Sequence, residues 1–228
     1  MPNFLLLESS SRNCSVAVCN QDSILSIREE ASAQFVHSEK MHVFIKECMC
    51  ESGLVYSDLD AVCVSKGPGS YTGLRIGVSA AKGVCYPLEI PLISVDSLTV
   101  LASQIFNEAD GVIVPIMDAR RMEVYESVFS ETGEQLMPIT AKIIDNTSYF
   151  NLLAKGKVHF VGDACQKVSE VIKHPNAIFH FDVEFPSTKQ LKALCAKKFS
   201  ERAFEDVAYF EPFYLKDFVA GKPKKYFN

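Results

Sequence analysis

Apolar and polar positions along the chain alternate in a way that predicts the same succession of elements twice. Phe4–Leu7 is a short apolar run and Cys14–Cys19 alternates as its hairpin partner across the polar turn 9–13; Ser23–Glu29 alternates as a third strand. From Ser38 to Cys50 the apolar residues Met41, Phe44, Ile45, Cys48 and Met49 recur at helical spacing, and Gly53 supplies a stop. A strand at Ala61–Val64 feeds a glycine turn and a helix to about Tyr86. A strand at Pro91–Val95 and a helix capped by Asp96 or Ser97 and running to Phe106 follow. After the Asp110-Gly111 turn the order restarts. Strands are expected at Val112–Met117, Met122–Phe129 and Gln135–Ile144, then a helix at Ser148–Lys155 and a strand at Val158–Val161. A helix at Ala164–Lys173, a strand at Ala177–Phe181 and a helix capped by Ser187 and reaching Phe204 complete it. Each half reads β-β-β-α-β-α-β-α, which builds a mixed sheet with helices on both faces. The expected boundary lies near Asn107, giving lobes 1–107 and 108–228, the second ending in an irregular tail.

Composition narrows the class. The 228 residues are 48% hydrophobic and 22% charged with a formal net charge of −5, so no strong positive field draws the chain to nucleic acid or anionic lipid. A direct tRNA-binding module is disfavoured on the same ground. The basic residues Lys222, Lys224 and Lys225 near the terminus read as solvated. No stretch is apolar for long enough to span a membrane, and Met1–Leu7 is too short for an export signal. The chain is therefore expected to be cytoplasmic, with its eight cysteines reduced and serving as small hydrophobes.

Asp60–Tyr86 is the stretch with the most local chemistry. Strand, glycine turn and helix start in succession can gather an anion on unpaired N–H groups. Yet Gly67, Gly69, Gly73 and Gly77 form neither a dinucleotide-binding motif nor a P-loop. Gly73 and Gly77, with Ala80 and Ala81 one turn on, also make a smooth track for close helix packing. Both readings stay open on spacing alone. Lys82 and Arg75 lie on the same helix, and Arg75 could grip a phosphate or carboxylate. The Met41–Met49 face either covers its own sheet or meets a partner.

The run Lys66-Gly-Pro-Gly-Ser-Tyr-Thr-Gly-Leu-Arg-Ile-Gly77 resembles the signature of the TsaB (YeaZ) family. The resemblance extends to the first strand and hairpin, His37–Lys40, the run containing Asp118, Arg120 and Glu123, and Pro212–Lys216 near the end. It implies an α/β protein of two tandem RNase H-like lobes with the actin-like ATPase fold. It also implies a non-catalytic subunit of the machinery that makes threonylcarbamoyladenosine beside the anticodon of ANN-reading tRNAs. Such a subunit pairs with a TsaD-like catalytic subunit, works with a TsaE-like ATPase, forms a homodimer in isolation and meets tRNA only through the complex. The interface so implied comprises Met41, Phe44, Ile45, Cys48, Gly73, Arg75, Gly77, Ala80 and Ala81. Leucine at Gly73 or Gly77 is accordingly expected to abolish pairing and leave the monomer folded.

The resemblance also places a nucleotide-facing set at Glu8, Ser9, Gly67, Gly69, Ser70, Asp118, Arg120 and Gly162. Its chemistry is reduced. The turns after Glu8 and Asp118 lack the glycine that lets backbone reach a phosphate, and Glu8 stands where an aspartate is usual. No tightly bound cofactor is expected, at most weak ATP or ADP at the complex interface. The histidine pair of TsaD aligns with Ser97 and Leu101, neither a ligand for zinc or iron, so no metal is expected. His37 and His42 are five apart, on different faces of a helix, and His159, His174 and His180 show no ligand spacing. An independent actin-like kinase or a metal-dependent glycoprotease-type hydrolase is the competing class, and it requires tight Mg-ATP or a bound metal.

Overall fold

The computed structural model describes residues 1–32 and 36–216. Among the described residues, ten strands and six α-helices follow in the expected order. In the first half these are β1 (Asn3–Glu8), β2 (Asn13–Asn20), β3 (Ile24–Ala31), α1 (His37–Ser52), β4 (Ala61–Gly67), α2 (Tyr71–Leu88), β5 (Leu92–Asp96) and α3 (Ser97–Ala102). The second half has β6 (Val112–Asp118), β7 (Glu123–Phe129), β8 (Gln135–Ile143), α4 (Phe150–Leu153), β9 (Val158–Val161), α5 (Cys165–Val171), β10 (Ala177–His180) and α6 (Thr188–Ser200).

The two five-stranded sheets have strand orders β3-β2-β1-β4-β5 and β8-β7-β6-β9-β10. In each, the first three strands meander antiparallel and the last two run parallel to the first. This is the RNase H-like order, and its tandem repetition is the actin-like plan. The lysine-bearing tail lies outside the described residues.

The period of two in β1 decides how the first sheet is covered. Leu5 and Leu7 face α1 and α2, where they meet Met41, Phe44, Ile45, Cys48, Ala80 and Ala81. Phe4 and Leu6 face the other way, onto Val100 of α3 and Leu191 and Cys195 of α6. The far face of the first sheet is thus covered by a helix from the end of the chain. α3 divides its contacts: Val100 joins the first core, whereas Leu98, Leu101 and Ala102 pack on β6 and β7 of the second sheet. Segment 205–214 returns along the first lobe, where the Glu205 amide donates to the Leu92 carbonyl at 2.8 Å and the Phe213 amide to the Lys66 carbonyl at 2.7 Å.

Several local expectations need correction. Gly53 ends α1 in the left-handed conformation and Ser187 caps α6, both as expected, and Ser70 caps α2. No side-chain cap opens α3, where Asp96 instead meets Lys66 at 3.6 Å. α3 stops at Ala102 and tightens into one 3-10 turn, Ser103–Ile105. The helix expected at Ser148–Lys155 is shortened to α4, because Tyr149 takes a positive φ of 64°.

Candidate functional site

The turn after β1 and the turn after β4 meet at the carboxyl ends of adjacent parallel strands, where open α/β sheets usually bind ligands. Here they bind each other. Glu8 is fully buried, and its Oε1 accepts from the Ser10 amide at 2.7 Å and the Ser10 hydroxyl at 2.6 Å. Its Oε2 accepts from the Ser65 hydroxyl. Burial pushes the carboxyl above its ordinary range, opposed by these hydrogen bonds. Both oxygens of Glu8 are engaged within the chain, by the turn that follows β1 and by Ser65 of β4.

The glycine turn is likewise filled by the chain itself. A Cβ at Gly69 would lie 2.2 Å from the Ser10 carbonyl oxygen, one at Gly73 2.1 Å from the Ser9 carbonyl oxygen, and one at Gly77 2.2 Å from the Ser9 hydroxyl. The Ser70 amide donates to the Ser10 carbonyl at 2.7 Å, and the Ser70 hydroxyl accepts from the Gly73 amide at 3.3 Å. On the other side, the Phe213 carbonyl stands 2.7 Å from where a Gly67 Cβ would be, and Gly67 has a φ of 114° that favours glycine. Of the two readings of the glycines, packing holds, and the packed element is the chain's own β1–β2 turn. Ser9, Gly67, Gly69 and Ser70 accordingly form a closed joint. His37, buried at the start of α1, lies against the Ser9 and Ser11 backbone, and burial lowers its pKa.

The second half gathers Asp118, Arg120 and Gly162 in a more open place. Asp118 is exposed, accepts from the Arg120 amide at 2.8 Å and pairs with Lys167 of α5. Lys167 also donates to the Arg121 and Glu123 carbonyls, at 2.9 and 2.7 Å. Arg120 and Arg121 both take positive φ, which makes the tight turn without glycine. Gly162, at φ 121°, lets its backbone pass the Ile116 carbonyl, 2.1 Å from a notional Cβ.

Asp163 follows Gly162 in the turn after β9. It accepts from the Asp118 amide at 2.8 Å, and its pKa is raised to about 6, chiefly by burial. The neighbouring Asp118 and Glu184 charges add to the rise, and Arg12 across the cleft opposes it. A raised carboxyl favours the folded state below the unfolded pKa of 3.8, and that advantage is lost as pH climbs through 6. Asp163→Asn keeps the acceptor and removes the charge. It is expected to be more stable than wild type by about 2 kcal/mol at pH 8, with the two converging below about pH 4, as read by urea unfolding across pH.

Ser97 and Leu101, the positions aligned with the TsaD histidines, are fully buried; Leu101 packs against Gly162. No group of three metal-ligating side chains occurs among the described residues. Sequence spacing missed one histidine pair. Adjacent strands β9 and β10 bring His159 Nδ1 within 2.9 Å of His180 Nε2, while His159 Nε2 meets Asp110 at 3.1 Å.

The expected interface residues also need correction. Met41, Phe44, Ile45, Cys48, Ala80 and Ala81 are buried in the first core, and Gly73 and Gly77 are closed by Ser9. Only Arg75 is exposed, and it stacks on Tyr71 with its Nε donating to the Tyr214 hydroxyl at 3.2 Å. What α1 and α2 present outward is a different set: Val43 and Cys50 among the charged Glu39, Lys46, Glu47 and Glu51 on α1, and Thr72, Ser79, Gly83 and Tyr86 beside Arg75 on α2. Tyr86 is 74% exposed. No helix among the described residues is long and apolar enough to cross a membrane.

Comparison with known proteins accords with this architecture. The family model for TsaD, tRNA N6-adenosine threonylcarbamoyltransferase, matches residues 29–225. A Haemophilus influenzae protein named "tRNA threonylcarbamoyladenosine biosynthesis protein TsaB" is 28% identical over 96% of this chain and 95% of its own. The Escherichia coli protein of the same name is 26% identical, with 96% of each chain covered. A Pseudomonas aeruginosa crystal structure, described as similar to peptidase YEAZ, superposes with a TM-score of 0.81 at 23% identity, covering 95% of this chain and all of that one. With its glycine signature closed by its own hairpin and two RNase H-like sheets in tandem, the chain belongs to the TsaB (YeaZ) family of tRNA threonylcarbamoyladenosine biosynthesis proteins, within the wider TsaD family.

Proposed function

We propose that this chain is a non-catalytic subunit that binds and activates a TsaD-like threonylcarbamoyltransferase in the cytoplasm. In this reading the partner transfers the threonylcarbamoyl group onto the adenosine beside the anticodon of ANN-reading tRNAs. A TsaE-like ATPase supports the cycle, and ATP or ADP binds weakly at the junction of the subunits. The observation that carries the reading is the state of Glu8: the acid that an active relative would keep for magnesium is buried and engaged at both oxygens. The buried Ser97 and Leu101, standing where TsaD carries its histidines, support it. The net charge of −5 favours contact with tRNA through the complex.

The outward face of α1 and α2 is the proposed partner surface. Thr72, Ser79 and Gly83 allow a facing helix to approach closely, and exposed Tyr86 is a residue type that anchors interfaces. The homodimer uses an overlapping part of this face, so partner and second copy compete. Depletion of the chain in its source organism is expected to lower threonylcarbamoyladenosine in tRNA nucleoside digests. Restoration by wild type supports the reading; unchanged modification after depletion contradicts it.

A further inference from the structure

Lys82 fastens a turn of the returning segment to the flank of α2. Its Nζ donates to the Ala208 carbonyl at 3.0 Å and to the Phe210 carbonyl at 3.1 Å. The turn is also held from within. Asp206 Oδ1 accepts from the Ala208 and Tyr209 amides at 2.8 and 3.1 Å, and the Asp206 carbonyl accepts from the Phe210 amide at 2.8 Å. Val207 and Phe210 pack against the first core. Tyr209, between the two carbonyls that Lys82 holds, points away from that core and is 84% exposed. Farther along the same flank the Tyr214 ring lies 4.8 Å from that of Tyr71, and its hydroxyl accepts from Arg75. Segment 206–214 thus runs beside α2 from Lys82 back to Tyr71 and borders the outward face.

A tyrosine has few rotatable bonds, so one carried on a fixed backbone gives up little freedom when a partner covers it. Tyr86 lies one turn beyond Lys82 on the same side of α2. The lysine therefore brings two exposed tyrosines, far apart in sequence, to one surface. We infer that Lys82 is a positioning residue for partner binding, holding the 206–210 turn so that Tyr209 joins Tyr86 against a helix of the TsaD-like subunit. This rests on the partner surface proposed above and adds to it a segment outside α1 and α2. A second copy suits Tyr209 less well. The exposed row of α1 carries Glu39, Lys46, Glu47 and Glu51, and a two-fold through the α2 face would lay those charges on Tyr209 or on one another.

Calorimetric titration of the full chain against the TsaD-like subunit tests this. Tyr209→Ala is expected to weaken binding about tenfold, as truncation of an interface anchor does. Lys82→Met keeps the stem and loses the donor. It is expected to weaken binding to a similar extent, and the double variant to bind no more weakly than Tyr209→Ala alone, because Lys82 acts through Tyr209. Lys82→Arg, which keeps donors, is expected to bind as wild type does; a lysine serving the fold alone would show neither the dependence on Tyr209 nor this rescue in affinity. Wild-type affinity in Tyr209→Ala alongside impaired Tyr86→Glu would overturn the inference and leave the α1/α2 surface standing, whereas wild-type affinity in both would overturn that surface too. A Tyr209→Ala effect confined to self-association, or losses from Lys82→Met and Tyr209→Ala that simply add, would also overturn it.

Discussion

Gly73→Ala is expected to destabilise the protein by about 3 kcal/mol, the upper end of overpacking costs, whereas Gly83→Ala on the same helix stabilises it by about 1 kcal/mol. The contrast follows from what each added methyl meets. At Gly73 it lands 2.1 Å from the Ser9 carbonyl oxygen, a backbone atom in a turn held by the buried Glu8–Ser10 hydrogen bonds and by the Ser70 amide. That turn cannot retreat without breaking those bonds. At Gly83 nothing lies within 4 Å, so only the helix preference of alanine remains. Urea midpoints of the two variants check the pair. Equal stability at Gly73 and Gly83 would mean the joint is looser than described. Leucine at Gly73 or Gly77 places more atoms against the same Ser9 contacts, so a loss of pairing there is expected to come with a loss of stability.

Tyr86→Glu is expected to weaken binding to the TsaD-like partner by about thirtyfold or more, the scale of an interface hot spot. Tyr86 is 74% exposed near the end of α2 and contributes little to the fold of the isolated chain. A carboxylate there would have to be desolvated against an apolar helix surface. Ser79→Arg should act in the same direction by filling the smooth part of the face. Both variants are expected to unfold at the wild-type urea concentration, which separates lost binding from lost structure. Calorimetric titration against the partner supplies the affinity. Retention of wild-type affinity in both would move the interface off the α1/α2 surface.

The elements were legible because their periods were clean. Phe4–Leu7 is a short apolar run next to the alternating Cys14–Cys19, and the Met41–Met49 stripe keeps helical spacing, so strand and helix followed from length and pattern. What packs on each face was not legible. A buried stripe announces that something covers it, and the Met41 stripe turned out to cover the chain's own first sheet. In the same way the glycine track predicted a close neighbour but not that Ser9 would be that neighbour. α6 crossing to the first sheet and α3 serving two cores are long-range choices that leave no periodic trace. Asp163 acquires its raised pKa from burial beside Asp118, set by the meeting of β6 and the turn after β9, and nothing local in the sequence marks it.

The central claim is that this chain contributes to modification only through a partner. Reconstitution with purified chain, TsaD-like and TsaE-like subunits, ATP, threonylcarbamoyl-adenylate and unmodified tRNA, omitting one protein at a time, tests it most directly. The account predicts full modification by the set, a collapse to background when this chain is omitted, and none from this chain alone. Threonylcarbamoyladenosine formed by this chain without the TsaD-like subunit, or undiminished yield in its absence, would contradict it.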